Sequence, residues 1–351
     1  MKVAFFNFFP FTMWTPGGGE IQMQKIRQFL LKIGVEVEMF DPNYPKFYRL
    51  FHLFTSTYQV ADLAVAIRNM GTKLVVNSNV NTNKPWWWGA AWSLVDRFLP
   101  LPTLYTYRKR IYDAAHLIIP NSIRERDHIA KAFDVPLEKF RVIRNGVDPD
   151  FQNADPEIFQ EEYGVKDFIL RVQSVSPGKN QLRLIQAWKR MGKPLPLVLI
   201  GPPVWAYPDY VSAVRRAVEE EGVLWIEYIP HDDPLLASAY AACRVHVMAS
   251  LGESTGLVSL EAGLAGAKLV AVDHPIVREY LGDNAVYCNA KSVYSIADAI
   301  QEALEAPPPN RNWFKQYTWD RIVPEYMRAY QEVLEECQDE PKQALASSTR
   351  G

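Results

Sequence analysis

The sequence predicts an α/β protein built from two successive doubly wound domains, and three observations predict it. Short apolar runs alternate with segments of helical period along most of the chain. The length of 351 residues suits two domains of about 150 residues each. Near the middle, a turn cluster (Asn145-Gly146-Val147-Asp148-Pro149-Asp150) and a polar, irregular stretch over 151–165 interrupt the alternation.

The alternation starts with an apolar run from Lys2 to Phe8, the pattern of a strand buried on both faces. A glycine-rich loop (Gly17-Gly18-Gly19) follows, then apolar residues at helical spacing (Ile21, Ile26, Phe29, Leu30), and then a second strand over Val35–Phe40. Tyr48–Phe54, Lys73–Val76, Leu117–Ile119 and Arg141–Ile143 continue the strand series. Ser122 with Glu125 reads as a helix capping box. Beyond the turn cluster, strands are expected at 168–172, 195–200, 223–228, 244–248, 268–272 and 285–288. Helices are expected near 179–190 and 209–221, and starting near Pro234, Thr255 and Ser292. Residues 313–337 read as one long amphipathic helix, and the tail from Gln338 as disordered. The domains are therefore placed at 1–150 and 151–312, with the C-terminal helix returning to the first.

Composition narrows the function. A hydrophobic fraction of 48% with 22% charged residues is that of a globular chain, not of a disordered or collagenous one. Cys243, Cys288 and Cys337 are too few for a disulfide framework, and no C-x-x-C occurs to suggest zinc or redox chemistry. The first apolar run ends at Pro10 without a cleavage site, and no window reaches the ~18 apolar residues of a membrane span. An intracellular, cytoplasmic protein is expected. Residues 1–150 carry 19 Lys and Arg against 13 Asp and Glu, whereas 151–351 carry 19 against 27. The basic first half suggests an anionic contact, such as phosphate or a membrane surface.

Two loops suggest chemistry. Gly17-Gly18-Gly19 has the composition of an oxyanion-binding turn at a helix N-terminus, or equally of a plain tight turn. A stronger signal lies at 250–261, Ser-Leu-Gly-Glu-Ser-Thr-Gly-Leu-Val-Ser-Leu-Glu. The amides of Thr255, Gly256, Leu257 and Val258 would be the unpaired donors of a first helical turn, suited to a diphosphate. Glu253 before the turn suits sugar hydroxyls, and Glu261 on the helix suits a ribose diol. Both carboxylates also have a plainer reading as charges favouring a helix N-terminus or a solvated face. Glu261 has Leu260, Ala262, Gly263 and Leu264 as neighbours, however, and a carboxylate there needs a partner.

Glu253-x7-Glu261 and the following Ala262-Gly263-Leu264-Ala265-Gly266-Ala267-Lys268-Leu269-Val270-Ala271 resemble the E-x7-E segment of GT-B glycosyltransferases. They are most similar to the retaining, nucleotide-sugar-dependent family 4, or "group 1". Ala115–Ser122, Arg141–Asp148, Ser176-Pro177-Gly178-Lys179-Asn180-Gln181 and Val270–Asp273 through Glu279 resemble other segments of that family in order and spacing. The resemblance covers about 1–330 loosely and 115–285 well. It implies two Rossmann-like domains facing across a cleft that holds the active site. It further implies a UDP- or GDP-sugar donor, no cofactor, no metal and no nucleic acid. The acceptor would be a glycan or a lipid-linked molecule. By the same resemblance Lys179 neutralises the donor diphosphate and Glu253 binds the donor sugar without acting as a nucleophile. Glu261 binds the ribose. Ser174, Ser254 and the 255–258 amides line the donor site, and Gly17–Gly19 closes on it. Asp148-Pro149-Asp150 is a D-x-D in letters, but its place in the interdomain turn makes it structural.

Two departures stand out. Ser174 occupies the position of an arginine that usually joins the lysine on the phosphates, and Asn79 that of a first-domain histidine. Each charge-assisted bond lost with that arginine is worth roughly 1.5–3 kcal/mol. Arg171 and Arg144 are the candidates to compensate. Of the histidines, His52 and His246 read as near-core residues, and His231-Asp232-Asp233 as a helix cap. The oddest stretch holds Trp86, Trp87, Trp88 and Trp92, followed by an aromatic, basic run to Arg110. It fits an interfacial surface touching lipid headgroups, a platform for sugar rings, or core, and periodicity does not separate these. Together with Asn79 it is expected to serve the acceptor or the membrane, which allows peripheral contact with the cytoplasmic membrane face.

Glycosyl transfer is the reading these signals favour. A non-catalytic sugar-nucleotide-binding subunit is the main alternative, because of Ser174 and Asn79. An epimerase on the same fold would need acid and base residues that have no matching positions. A nicotinamide oxidoreductase would need a glycine fingerprint that is not in register.

Overall fold

The structure, a computed structural model, describes residues 1–8, 18–41, 47–80, 85–99, 103–253 and 255–335. Gly17, Ser254, Cys337 and the tail from Gln338 lie outside the described residues. The chain divides into two compact units, Met1–Arg144 with the segment from Asp320, and Asn145–Trp319. The first crossing falls just ahead of the Asn145-Gly146 turn.

The first unit begins with β1 (Lys2–Phe6), α1 (Gly18–Lys32), β2 (Glu36–Met39) and β3 (Leu50–Leu53). Then come α2 (Ala61–Asn69), β4 (Lys73–Asn77), α3 (Trp86–Phe98), α4 (Leu104–Ala114), β5 (Leu117–Ile119) and α5 (Ile123–Phe133). Its strands form one parallel sheet in the order β2-β1-β3-β4-β5. All four residues of β3 are buried, as a continuous apolar run in a parallel sheet requires. Helix α1 buries Gln22, Met23, Ile26, Phe29 and Leu30 at helical spacing. Its first turn already contains Gly18 and Gly19, so these two are helical rather than part of a loop.

The expected strand at Arg141–Ile143 is absent. The segment is extended, but beyond a single bridge between Ile118 and Phe140 it contributes only the amides of Arg141 and Ile143. Pro120, at the end of the three-residue β5, lacks the N–H that would return a bond. The capping box at Ser122 forms by half. Ser122 Oγ accepts from the Glu125 amide at 3.0 Å, while the Glu125 carboxylate accepts from Asn121 N, Ser78 Oγ and Val80 N.

The second unit contains α6 (Pro156–Tyr163), β6 (Ile169–Val172), α7 (Gln181–Arg190), β7 (Leu197–Ile200) and α8 (Pro208–Glu221). It continues with β8 (Leu224–Ile226), α9 (Pro234–Ala242), β9 (Val245–Met248), α10 (Leu257–Ala265) and β10 (Lys268–Val272). The last elements are α11 (Pro275–Leu281), β11 (Val286–Cys288), α12 (Val293–Glu305) and α13 (Arg311–Lys315). Its parallel sheet runs β11-β10-β9-β6-β7-β8. The order reverses between β6 and β9, and crevices at the carboxyl ends of such a pair are where open α/β sheets bind ligands.

Two expectations are corrected here. The 151–165 stretch is not irregular. It holds α6, capped by Asp155, whose side chain accepts from the Glu157 amide at 2.9 Å, with Pro156 at the first helical position and Phe159 fully buried. The predicted helix 313–337 is two helices, α13 and α14 (Trp319–Glu335). Between them the backbone turns to pair with Val147, whose amide donates to Tyr317 O at 2.8 Å and whose carbonyl accepts from Trp319 N at 3.1 Å. Gly146 is needed at this crossing, because a Cβ there would lie 2.3 Å from the Trp319 ring.

Helix α14 belongs to the first unit's core through Tyr326 and Tyr330. The Asn77 amide nitrogen donates to Tyr326 Oη at 3.2 Å, which leaves Asn77 Oδ1 to accept from His52 Nε2 at 2.9 Å. His52 Nδ1 then accepts from Tyr330 Oη at 2.7 Å. Burial pushes the His52 pKa down to about 3, so the imidazole is neutral in this network.

Candidate functional site

At the switch point of the second sheet, the loop after β6 meets the loop after β9. Leu251 N donates to Gly178 O at 2.9 Å, and Asn180 Nδ2 donates to the carbonyls of Ala249 and Ala290. Asn180 adopts φ +68°, a left-handed conformation that asparagine tolerates, and this ends the single 3-10 turn carrying Lys179. Gly201, at the end of β7, passes so close that a Cβ would sit 2.2 Å from the Gln173 carbonyl oxygen.

Within this frame Lys179 Nζ lies 3.2 Å from Glu253 Oε2, and Gln173 Nε2 donates to the same oxygen at 3.0 Å. Gln173 is oriented by Ser250 Oγ, which donates to its Oε1 at 2.9 Å, and Ser250 is in turn bonded by Arg171 at 3.0 Å. Arg171 is buried beneath the loops, where its guanidinium donates to the carbonyls of Val247 and Lys179. Burial lowers its pKa to about 10, opposed by the nearby Glu253 charge, so it stays cationic near neutrality. For Glu253, burial pushes the carboxyl pKa up, but the Lys179 charge and the bonds from Gln173 and Lys179 outweigh it. The net shift is downward, and the group is an anion.

Helix α10 starts two residues later than predicted, at Leu257. Gly256 is its cap at φ +68° and has no side chain to offer the first turn. A Cβ at Gly256 would lie 2.7 Å from the Met248 thioether. The amides of Leu257 and Val258 are thus first-turn donors with no intrahelical acceptor. Thr255 is buried, and its Oγ1 accepts from Asn145 Nδ2 at 3.0 Å, so the turn that opens the unit also holds this loop.

Glu261 is on α10 and is buried. Its Oε1 is 2.9 Å from His231 Nε2, and its Oε2 accepts from Tyr240 Oη at 2.8 Å. That satisfies the requirement for partners set by its apolar neighbours. His231 therefore does not cap α9. Asp233 does, accepting from Leu235 N at 2.9 Å.

The structure brings Lys179, Glu253, Gly256, Leu257 and Val258 to one end of the second sheet, with Glu261 further along the same helix. Ser174 turns its carbonyl to Gln181 Nε2. Arg171, a candidate substitute for the missing arginine, turns its two terminal nitrogens to carbonyls and Ser250, while its buried Nε meets no acceptor among the described residues. Gly18, Gly19, Asn79 and the tryptophans belong to the first unit. Asn79, at φ +44°, donates to Phe54 O and accepts from Asn121 Nδ2, which is itself tied to Gln22. Asp148 caps a 3-10 turn by accepting from Asp150 N. Sequence reasoning missed Gln173, Ser250, Asn145 and Tyr240. The last three lie in or beside segments it singled out, but no spacing rule points to them.

Residues 155–319 match the family model described as glycosyl transferases group 1. The Escherichia coli O-antigen chain mannosyltransferase B is 25% identical over 234 residues, covering 62% of this chain and 61% of that protein. The Campylobacter jejuni N-acetylgalactosamine-N,N'-diacetylbacillosaminyl-diphospho-undecaprenol 4-alpha-N-acetylgalactosaminyltransferase is 25% identical over 264 residues, 74% of this chain and 64% of that one. The chain thus spans a little under two thirds of the length of these relatives. The crystal structure of Anabaena HepE in complex with UDP aligns with a TM-score of 0.67 at 19% identity, covering 96% of this chain and 100% of that one. The family match lies within the second unit, and both units have the Rossmann-like architecture of GT-B glycosyltransferases.

Proposed function

We propose that the chain is a retaining glycosyltransferase that moves a sugar from a nucleotide-sugar, UDP- or GDP-linked, to an acceptor hydroxyl on a glycan, glycolipid or lipid-linked oligosaccharide. One observation carries the reading. An ammonium, a carboxylate and a glycine-capped helix N-terminus converge at the carboxyl end of the second sheet's switch point, and a diphosphate joined to a sugar matches all three.

In this reading Lys179 and the Leu257 and Val258 amides take the diphosphate charge that grows as the glycosidic bond breaks. Glu253 accepts from sugar hydroxyls, and Glu261, steadied by His231 and Tyr240, accepts from the ribose. Glu253 is a carboxylate already bonded by Gln173 and Lys179, which suits a binder better than a nucleophile. The acceptor hydroxyl attacks the anomeric carbon on the face the diphosphate leaves, and its proton passes to the departing phosphate oxygen. Leaving-group stabilisation and positioning, with neither metal nor cofactor, would supply the rate. The names of the relatives support a polysaccharide or lipid-linked acceptor; in this reading the first unit takes it, at the cytoplasmic side.

A second reading, a non-catalytic sugar-nucleotide-binding subunit, draws on Ser174 and on Arg171, whose guanidinium is already committed to protein carbonyls. Release of nucleoside diphosphate from UDP- and GDP-sugars separates the two. The enzyme reading expects slow release without acceptor that disappears in Lys179→Ala. Binding without any release, in the presence of acceptor glycans as well, would leave only the second.

A further inference from the structure

Helix α3 turns its bulky apolar residues away from the fold. Trp87, Leu94 and Phe98 lie at helical spacing and are 53%, 57% and 78% exposed, with Ala91 and Val95 on the same face. Leu99 at the end of α3 and Leu104 at the start of α4 are also exposed. The opposite face is seated by small residues. A Cβ on Gly89 would lie 2.6 Å from Ala132 Cβ of α5, and Ser93 Oγ donates to the Ala132 carbonyl at 2.9 Å. A helix covering a core has the reverse arrangement. These exposures remove the core reading of the tryptophan cluster.

The surroundings are cationic. Segment 84–112 holds five Lys and Arg against one Asp. Lys131 Nζ lies 5.9 Å from the centroid of the Trp86 ring, and the Trp87 and Trp88 rings stack at 5.7 Å. Beside Leu94 a cavity of about 310 Å³ is lined by Lys109, Lys131 and Asp134 among others. Apolar bulk along one helix face, tryptophans at its end and lysines at its edge match the layers of an anionic bilayer surface.

We propose that the outward face of α3, with the start of α4, docks the protein on an anionic lipid surface. Leu94, Val95 and Phe98 enter the acyl boundary, the Trp86–Trp88 rings sit at headgroup level, and Lys131 meets lipid phosphates. The proposal concerns the first unit and is independent of the donor-site reading.

The test is co-sedimentation of the full chain with phosphatidylglycerol-containing vesicles and with phosphatidylcholine vesicles. The triple variant Trp87→Ser, Leu94→Ser, Phe98→Ser is expected to lose binding to both while keeping its circular dichroism spectrum. In case it misfolds, the single variant Lys131→Gln provides a second measure. It is expected to lower partitioning onto anionic vesicles about fivefold. Wild-type protein that stays in the supernatant with anionic vesicles would overturn the proposal. So would equal sedimentation of wild type and the folded triple variant. Self-association lost in the triple variant, without vesicle binding, would assign the face to a second copy instead.

Discussion

The Lys179 ammonium lies 3.2 Å from the Glu253 carboxylate, and the two come from the loops after β6 and β9, the strands that flank the switch point. Each group can be redirected by a ligand, the ammonium toward a diphosphate and the carboxylate toward sugar hydroxyls. Lys179→Ala should lower turnover of the donor by about 10²–10³-fold, the usual cost of one preorganised charge on a leaving group. Glu253→Gln keeps the volume and loses the charge, and should act more on donor KM than Lys179→Ala does. Initial rates of nucleoside diphosphate release measure both.

The downward shift at Glu253 makes the second unit sensitive to acid. A carboxyl whose folded pKa lies below its unfolded value of about 4.3 stabilises the fold above that pH. That contribution is lost as pH falls through the folded value. Urea titrations from pH 6 down to about pH 3 should show the stability gap between wild type and Glu253→Gln closing in that range. A gap that widens toward acid would contradict the pairing.

Gly201 supports the site without touching it. Its φ of +143° and the 2.2 Å approach of a Cβ to the Gln173 carbonyl leave no room for a side chain. Gly201→Ala should cost about 2–4 kcal/mol by strain and overpacking, and displace Gln173 from Glu253. Gly178→Ala, beside Lys179 but with open space around it, is the matched control and should be near neutral. Chemical denaturation compares the two.

In the first unit, Tyr330→Phe would strip the buried His52 Nδ1 of its donor. The expected loss is about 1–3 kcal/mol in unfolding free energy. His52 also sets a pH dependence. Its pKa, lowered to about 3 by burial, lies below the unfolded value of about 6.5, so its contribution is complete above that value. The contribution is lost as pH falls toward 3, and His52→Gln should flatten that part of the stability profile.

Both parallel sheets were legible because a strand buried on two faces is written as an unbroken apolar run. Glu253 and Glu261 were legible because their spacing is local to one loop and one helix, and Lys179 through the resemblance of its loop. Gln173 and Ser250 were not, nor were the partners of Arg171. Arg171 reaches Val247, 76 positions along the chain, only because the sheet order sets β9 beside β6, and sheet order is a tertiary fact. Helix α6 escaped notice because its polar composition masks the Asp155-Pro156 start. The break between α13 and α14 is set by pairing with Val147, far away in sequence. Period alone could not orient the tryptophans of α3. What turns them outward is Gly89 packing on Ala132.

The central claim is that the second unit holds a nucleotide-sugar through Lys179, Glu253 and Glu261. Thermal-shift titration with UDP-, GDP- and ADP-sugars tests it most directly. The account predicts that a UDP- or GDP-sugar raises the melting temperature of the wild type and that the rise vanishes in Glu261→Ala. No shift with any of the three, or an equal shift in that variant, would contradict it.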